Sequence, residues 1–162
     1  MNASSVATWF FESLSHQYPD KLVIKLVEGI KSKEREMVEI HTGQSLGPYF
    51  SVKVLEESRC IFVEFDGVLS YQVVSESISA PQIKRESTMF DSPVEKCSSL
   101  EYQKYIESDS IIKSVNEGEY SSYFIWCEDQ TFFVISTQSP KITWSDEKPD
   151  LSIERYATWF SS

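Results

Sequence analysis

The most apolar stretch of the chain, SYFIWCEDQTFFVIS over residues 122–136, holds two hydrophobic runs parted only by Glu128-Asp129-Gln130. Neither run alternates apolar with polar residues, so each reads as a strand whose two faces are both covered. Three polar residues form a tight connection between them, which makes the pair the candidate centre of a sheet. Any fold open to this chain has to supply a layer on each side of that sheet.

Further strand material precedes it. KLVIKLV (21–27), EREMVEIHT (34–42), PYFSVKVLEE (48–57), RCIFVEFD (59–66) and VLSYQVVSES (68–77) are rich in β-branched and aromatic residues and are separated by turn residues. Asp66-Gly67 between the last two predicts a hairpin, since both residues tolerate positive φ. Leu69, Tyr71 and Val73 share one face and Ser70 and Gln72 the other, so one side of that sheet is expected to be wet. KITW (141–144) adds a strand after Pro140.

Helical spacing is read in three places. Val6, Phe10 and Leu14 recur every four residues, predicting an amphipathic helix from Ser4 to Gln17, capped by Ser4 or Ser5 and stopped at Tyr18-Pro19-Asp20. A second helix is predicted from about Ser98 to Val115. In LSIERYATWFSS, Ile153, Tyr156, Ala157 and Phe160 favour a short terminal helix over an alternating strand. Residues 79–98, with two prolines and no clear period, read as a long loop. The expectation is a single α+β domain over residues 1–162: a mainly antiparallel sheet with an N-terminal, a mid-chain and a short terminal helix.

Charge narrows the partners. Against 15 basic residues stand 25 acidic ones, a formal charge of −10, which disfavours nucleic acid and anionic membrane surfaces and suits a basic protein partner. Cys60, Cys97 and Cys127 are odd in number and widely spaced, as free thiols of a reducing compartment are. The first residues lack a signal peptide's basic start and apolar run, and no later run reaches the ~20 residues of a membrane span. A cytoplasmic protein is expected.

Chemistry-bearing patterns are sparse. His16 and His41 read as exposed surface histidines, and a Cys-His pair of His41 and Cys60 has nothing to activate it. There is no Cys-x-x-Cys, His-x-x-x-His, calcium-loop spacing or glycine-rich phosphate loop, so neither a metal nor a cofactor is expected. Among the carboxylates, Glu64 stands out, lying in an otherwise apolar strand where it has to be paired or at an edge.

The segments FDGVLSYQVVSES (65–77), STMFDSPVEKCSSLEYQKYIESDS (87–110) and YSSYFIWCEDQTFFVISTQSPKI (120–142) resemble a family of small, largely uncharacterised bacterial cytosolic proteins. In that family a strand of the form F-x-x-x-(I/L)-x-Y-x-V-x-x-E precedes an L-x-Y helix and a later strand pair ending in V-(I/V)-S. The resemblance rests on Phe65, Tyr71, Val73, Glu76, Leu100, Tyr102, Tyr123, Cys127, Val134, Ser136 and Pro140, over residues 65–142. Ser122 and Phe133 stand where the family commonly has His and Asp, so no proton-transfer role carries over. The resemblance implies an immunity-type protein, of the kind found beside secreted toxin genes, that neutralises its partner by covering the active site.

An acidic inhibitor suits a basic toxin, a nuclease especially, and needs a surface rather than catalytic residues. The candidate partner-binding residues are Glu64, Asp66, Glu76, Glu128 and Asp129, with Trp9 and Trp159 as aromatic anchors. The two tryptophans belong to a doubled tetrapeptide, ATWF at residues 7–10 and again at 157–160; its flanks do not match, so it is no longer repeat. Two alternatives remain open: a small ligand-binding or hydrolytic domain with an aromatic pocket of Trp126, Phe132, Tyr71 and Glu76, and a non-catalytic interaction subunit.

Overall fold

A computed structural model of the chain describes residues 8–75, 84–85, 92–98, 101–116 and 119–160. Its elements are β1 (Trp9–Gln17), β2 (Lys21–Glu28), β3 (Ile30–Glu39), β4 (Ser45–Lys53), β5 (Cys60–Phe65), β6 (Val68–Ser75), β7 (Lys84–Arg85), β8 (Val94–Ser98), α1 (Glu101–Asp109), α2 (Ile112–Asn116), β9 (Ser121–Trp126), β10 (Gln130–Ser136), β11 (Lys141–Ser145) and β12 (Thr158–Phe160). The strands form three antiparallel sheets, in the orders β1-β2-β5-β11, β6-β10-β9-β8-β7 and β12-β4-β3. Among the described residues the fold is therefore mostly antiparallel β with two short helices, and the expected α+β arrangement with three helices is overturned.

The core lies between the first two sheets. Trp9, Leu22, Ile24, Leu26, Ile61, Val63 and Phe65 meet Val68, Tyr123, Ile125, Cys127, Phe132 and Val134 there. Phe132 is fully buried, and truncating such a ring to Ala typically costs about 3–5 kcal/mol. On the opposite face of β9 and β10, Phe124 and Phe133 pack with Cys97 and with Tyr102 of α1. The two non-alternating runs are thus covered on both sides, by the partner sheet and by α1. The face of β6 expected to be wet is covered only in part: Gln72 is exposed, while the hydroxyls of half-buried Ser70 and of Tyr102 lie 2.5 Å apart.

Each departure from expectation has a local cause. Residues 9–17 form a strand paired with β2 rather than a helix, and the register slips between Phe11 and Ser13, leaving Glu12 in a β-bulge. Phe11 and Leu14 then both face the core three positions apart, a spacing that imitates a helix. The mid-chain helix is two helices: Ile112 N–H donates to Ser110 Oγ at 3.3 Å, so Ser110 caps α2 where a continuous helix would have run on. Residues 158–160 pair with β4 as a strand instead of closing a terminal helix. Part of the expected long loop is β8, which pairs with β9.

Asp66-Gly67 does not close a hairpin, since β5 pairs with β2 and β11 while β6 pairs with β10. The turn's backbone is satisfied from elsewhere: Val68 N–H donates to Asp20 and Thr137 N–H to Gly67. Gly29 carries the chain from the first sheet into the third. A Cβ there would lie 2.5 Å from Val52 Cγ1 and 2.6 Å from Thr8 Cγ2, so only glycine lets β1, β2 and β4 approach. Among the described residues, no helix is long and apolar enough to cross a membrane.

Candidate functional site

Three of the sequence-selected residues, Trp9, Glu128 and Asp129, come together at the junction of β1, the β9–β10 turn and β12. Glu128 N–H donates to the Trp9 carbonyl at 2.8 Å, fixing the turn to the start of β1. The Glu128 carboxylate takes the Thr8 hydroxyl on Oε1 at 2.5 Å and the Thr158 hydroxyl on Oε2 at 3.0 Å. These are the threonines of the two ATWF copies, held by the two oxygens of one side chain. Beside it, Asp129 Oδ1 accepts from Phe11 N–H at 2.9 Å, and burial raises the Asp129 pKa against the pull of that hydrogen bond.

The aromatic members do not form an exposed pair. Trp9 is 5% exposed and sits in the core, 6.1 Å from the Trp144 ring, so it is not available as a surface anchor. Trp159 is half-buried, with the Lys53 ammonium 5.8 Å from its ring centroid. Glu64 and Asp66 lie toward the other end of β2: Glu64 is half-buried, opposite Val23 and Lys141, and Asp66 is exposed in its turn. Glu76 lies outside the described residues.

From β11 the chain continues as a strap, residues 146–157, that leads back to β12. Lys25 donates to Glu147 at 2.7 Å and lies 3.5 Å from Glu12, whose Oε1 accepts the Asp150 N–H. Burial acts to lower the Lys25 pKa, but the bonded Glu147 and the nearby Glu12 carry it above its usual value. The guanidinium of Arg155 reaches the Asp150 carbonyl at 3.0 Å and the Phe11 carbonyl at 3.4 Å. A cleft of about 510 Å³ runs along the strap, lined by Glu128, Asp129, Arg155 and Tyr156 among others. Cys60 also faces Glu12, at 3.8 Å; burial, and then that carboxylate, push its thiol up to about 11, the reverse of what a nucleophile needs.

A different surface carries the features of a contact site. α1 and α2 lie on the outer face of the five-stranded sheet, anchored through Tyr102 against Phe133 and through buried Ile112. Glu107 ties the two helices to the start of β9: its Oε1 accepts from Gln103 at 2.8 Å and from Tyr120 at 2.9 Å, and its Oε2 lies 3.1 Å from Lys113. Away from the sheet, Tyr105, Ile111 and Val115 are 60%, 73% and 65% exposed, with Glu101, Asp109 and Glu119 also exposed around them. Glu101 pairs with Lys104 at 2.7 Å, and the Tyr105 hydroxyl reaches Asp109 at 3.5 Å.

Sequence reasoning missed this surface because Ile111 and Val115 match the apolar spacing of a core-facing helix. Their exposure follows from the break at Ser110, which no periodicity reveals. Comparison with family models, curated proteins and solved structures returned no match to the chain.

Proposed function

We propose that the protein is an immunity-type binding protein that engages a basic protein partner through the α1–α2 surface and blocks that partner's active site. The observation that carries the reading is the exposure of Tyr105, Ile111 and Val115 within residues 101–119, a stretch that also presents Glu101, Asp109 and Glu119 against Lys104 and Lys113. Exposed apolar side chains in such density lower the stability of the free molecule unless another surface covers them, and carboxylates around them select a positively charged surface. The formal charge of −10 favours rapid encounter with such a partner. The toxin identity rests on the sequence resemblance over residues 65–142, and a nuclease, whose substrate site is positive, is the class that the charge suits best.

Co-expression with a toxin domain encoded in the adjacent reading frame tests the reading, and the absence of such a frame counts against it. The protein is expected to relieve growth inhibition and to form a tight complex whose affinity falls steeply with added salt. A toxin that remains fully active in its presence overturns the proposal.

A further inference from the structure

The β4 edge is occupied by the chain's own residues 158–160, and their side chains meet distinct partners there. Thr158, Trp159 and Phe160 pair antiparallel with Val52, Ser51 and Phe50. The Thr158 hydroxyl is read by Glu128, the Trp159 indole lies beneath Lys53, and Phe160 stands across from Phe50, whose ring carries Lys31 at 4.5 Å and Arg35 at 4.9 Å. One hydroxyl and two aromatic rings therefore meet specific partners, while the backbone supplies the pairing, as in strand addition to a sheet edge.

The resident strand is lightly held. Of residues 146–157 that lead to it, only Pro149 is buried, and Leu151 and Tyr156 are 55% and 85% exposed. Polar contacts of Lys25, Glu12 and Arg155 hold the strap in place of a buried apolar face. Segments with few buried apolar contacts open at low free-energy cost. The Thr8 hydroxyl of the other ATWF copy donates to the second oxygen of the same Glu128 carboxylate, while Trp9 and Phe10 of that copy pair with β2 and leave the β4 edge alone.

We propose that the β4 edge is an acceptor site for an extended segment of a partner protein carrying a hydroxyl residue followed by two aromatic residues, and that the C-terminal strand guards it by occupying it in cis. The inference does not depend on the basic-partner reading, which concerns another face. A tethered strand competes at an effective concentration on the order of millimolar, so the closed protein binds such a segment weakly and an opened one tightly.

The test uses the full-length chain and a fluorescein-labelled peptide, ERYATWFSS, followed by fluorescence anisotropy. The Trp159→Gly/Phe160→Gly protein, with its resident strand weakened, is expected to bind the peptide saturably and more tightly than the unaltered protein. Replacing the peptide's Thr with Val is expected to weaken binding about tenfold, since a hydrogen bond to a carboxylate is lost. Glu128→Gln in the opened protein is expected to shrink that difference between the Thr and Val peptides. Should Glu128→Gln prevent folding, judged by far-UV circular dichroism, the comparison of the two peptides on the opened protein decides alone. Absence of saturable binding to the opened protein, or equal binding of the Thr and Val peptides, overturns the proposal.

Discussion

Glu128 joins three segments that are remote in sequence, taking hydroxyls from Thr8 and Thr158 and donating its own N–H to Trp9. Hydrogen bonds to a charged group contribute about 1.5–3 kcal/mol each, and two on one carboxylate are coupled. Glu128→Ala is therefore expected to lower stability by about 2–3 kcal/mol, measured by urea unfolding. Thr8→Val and Thr158→Val together should cost less in the Glu128→Ala background than in the unaltered protein. Cys60 gives a second residue-scale expectation. Its thiol, pushed up to about 11 by burial and by Glu12, stays protonated at pH 7. Iodoacetamide followed by mass spectrometry should leave Cys60 unmodified in the folded protein and label it in urea; rapid labelling of the folded protein would contradict this assignment.

Among the elements, α1 and α2 unite a well-anchored inner side with an outer side that contributes little to folding. Tyr105→Ala and Ile111→Ser are expected to change stability by about 0.5 kcal/mol or less, as exposed positions do, yet to weaken partner binding. Equal losses of stability and binding would mean that these side chains serve the fold. Acid should act on the inner side. The Gln103 amide, opposed by burial and helped by Lys113 and Tyr120, holds Glu107 below the usual carboxylate range. A carboxyl with a lowered folded pKa stabilises fully above its unfolded value of 4.5 and loses that contribution as pH falls through the folded one. The stability gap between the unaltered protein and Glu107→Gln, read by urea unfolding, is expected to be present at pH 7 and to close in acid. The strands were legible in the sequence wherever branched and aromatic residues bounded by turns left one reading, as in Lys21–Glu28 and Gln130–Ser136. They were not legible where a bulge at Glu12 disguised β1 as a helix or where β5 and β6 left Asp66-Gly67 for different sheets, because neither depends on local sequence alone. Glu128 and Asp129 could be selected as polar residues between apolar runs, but Thr8 and Phe11 lie 120 and 118 residues away and Thr158 30, beyond any local pattern.

At the scale of the whole molecule, a closed double-sheet core leaves its polar work to the margins. The junction at Glu128 secures both ends of the described chain, and the α1–α2 surface projects from the far side of the second sheet. Capture of a basic protein is the role proposed for this surface. Isothermal titration of a toxin domain encoded in the adjacent reading frame with the unaltered protein and with Ile111→Arg, at low and high salt, is the decisive measurement. A tight complex, weakened by salt, is expected for the unaltered protein, and a loss of affinity of tenfold or more for Ile111→Arg while its urea unfolding stays within about 0.5 kcal/mol of the unaltered protein. No measurable heat of binding together with an uninhibited toxin, or equal affinity of the two proteins, would contradict it.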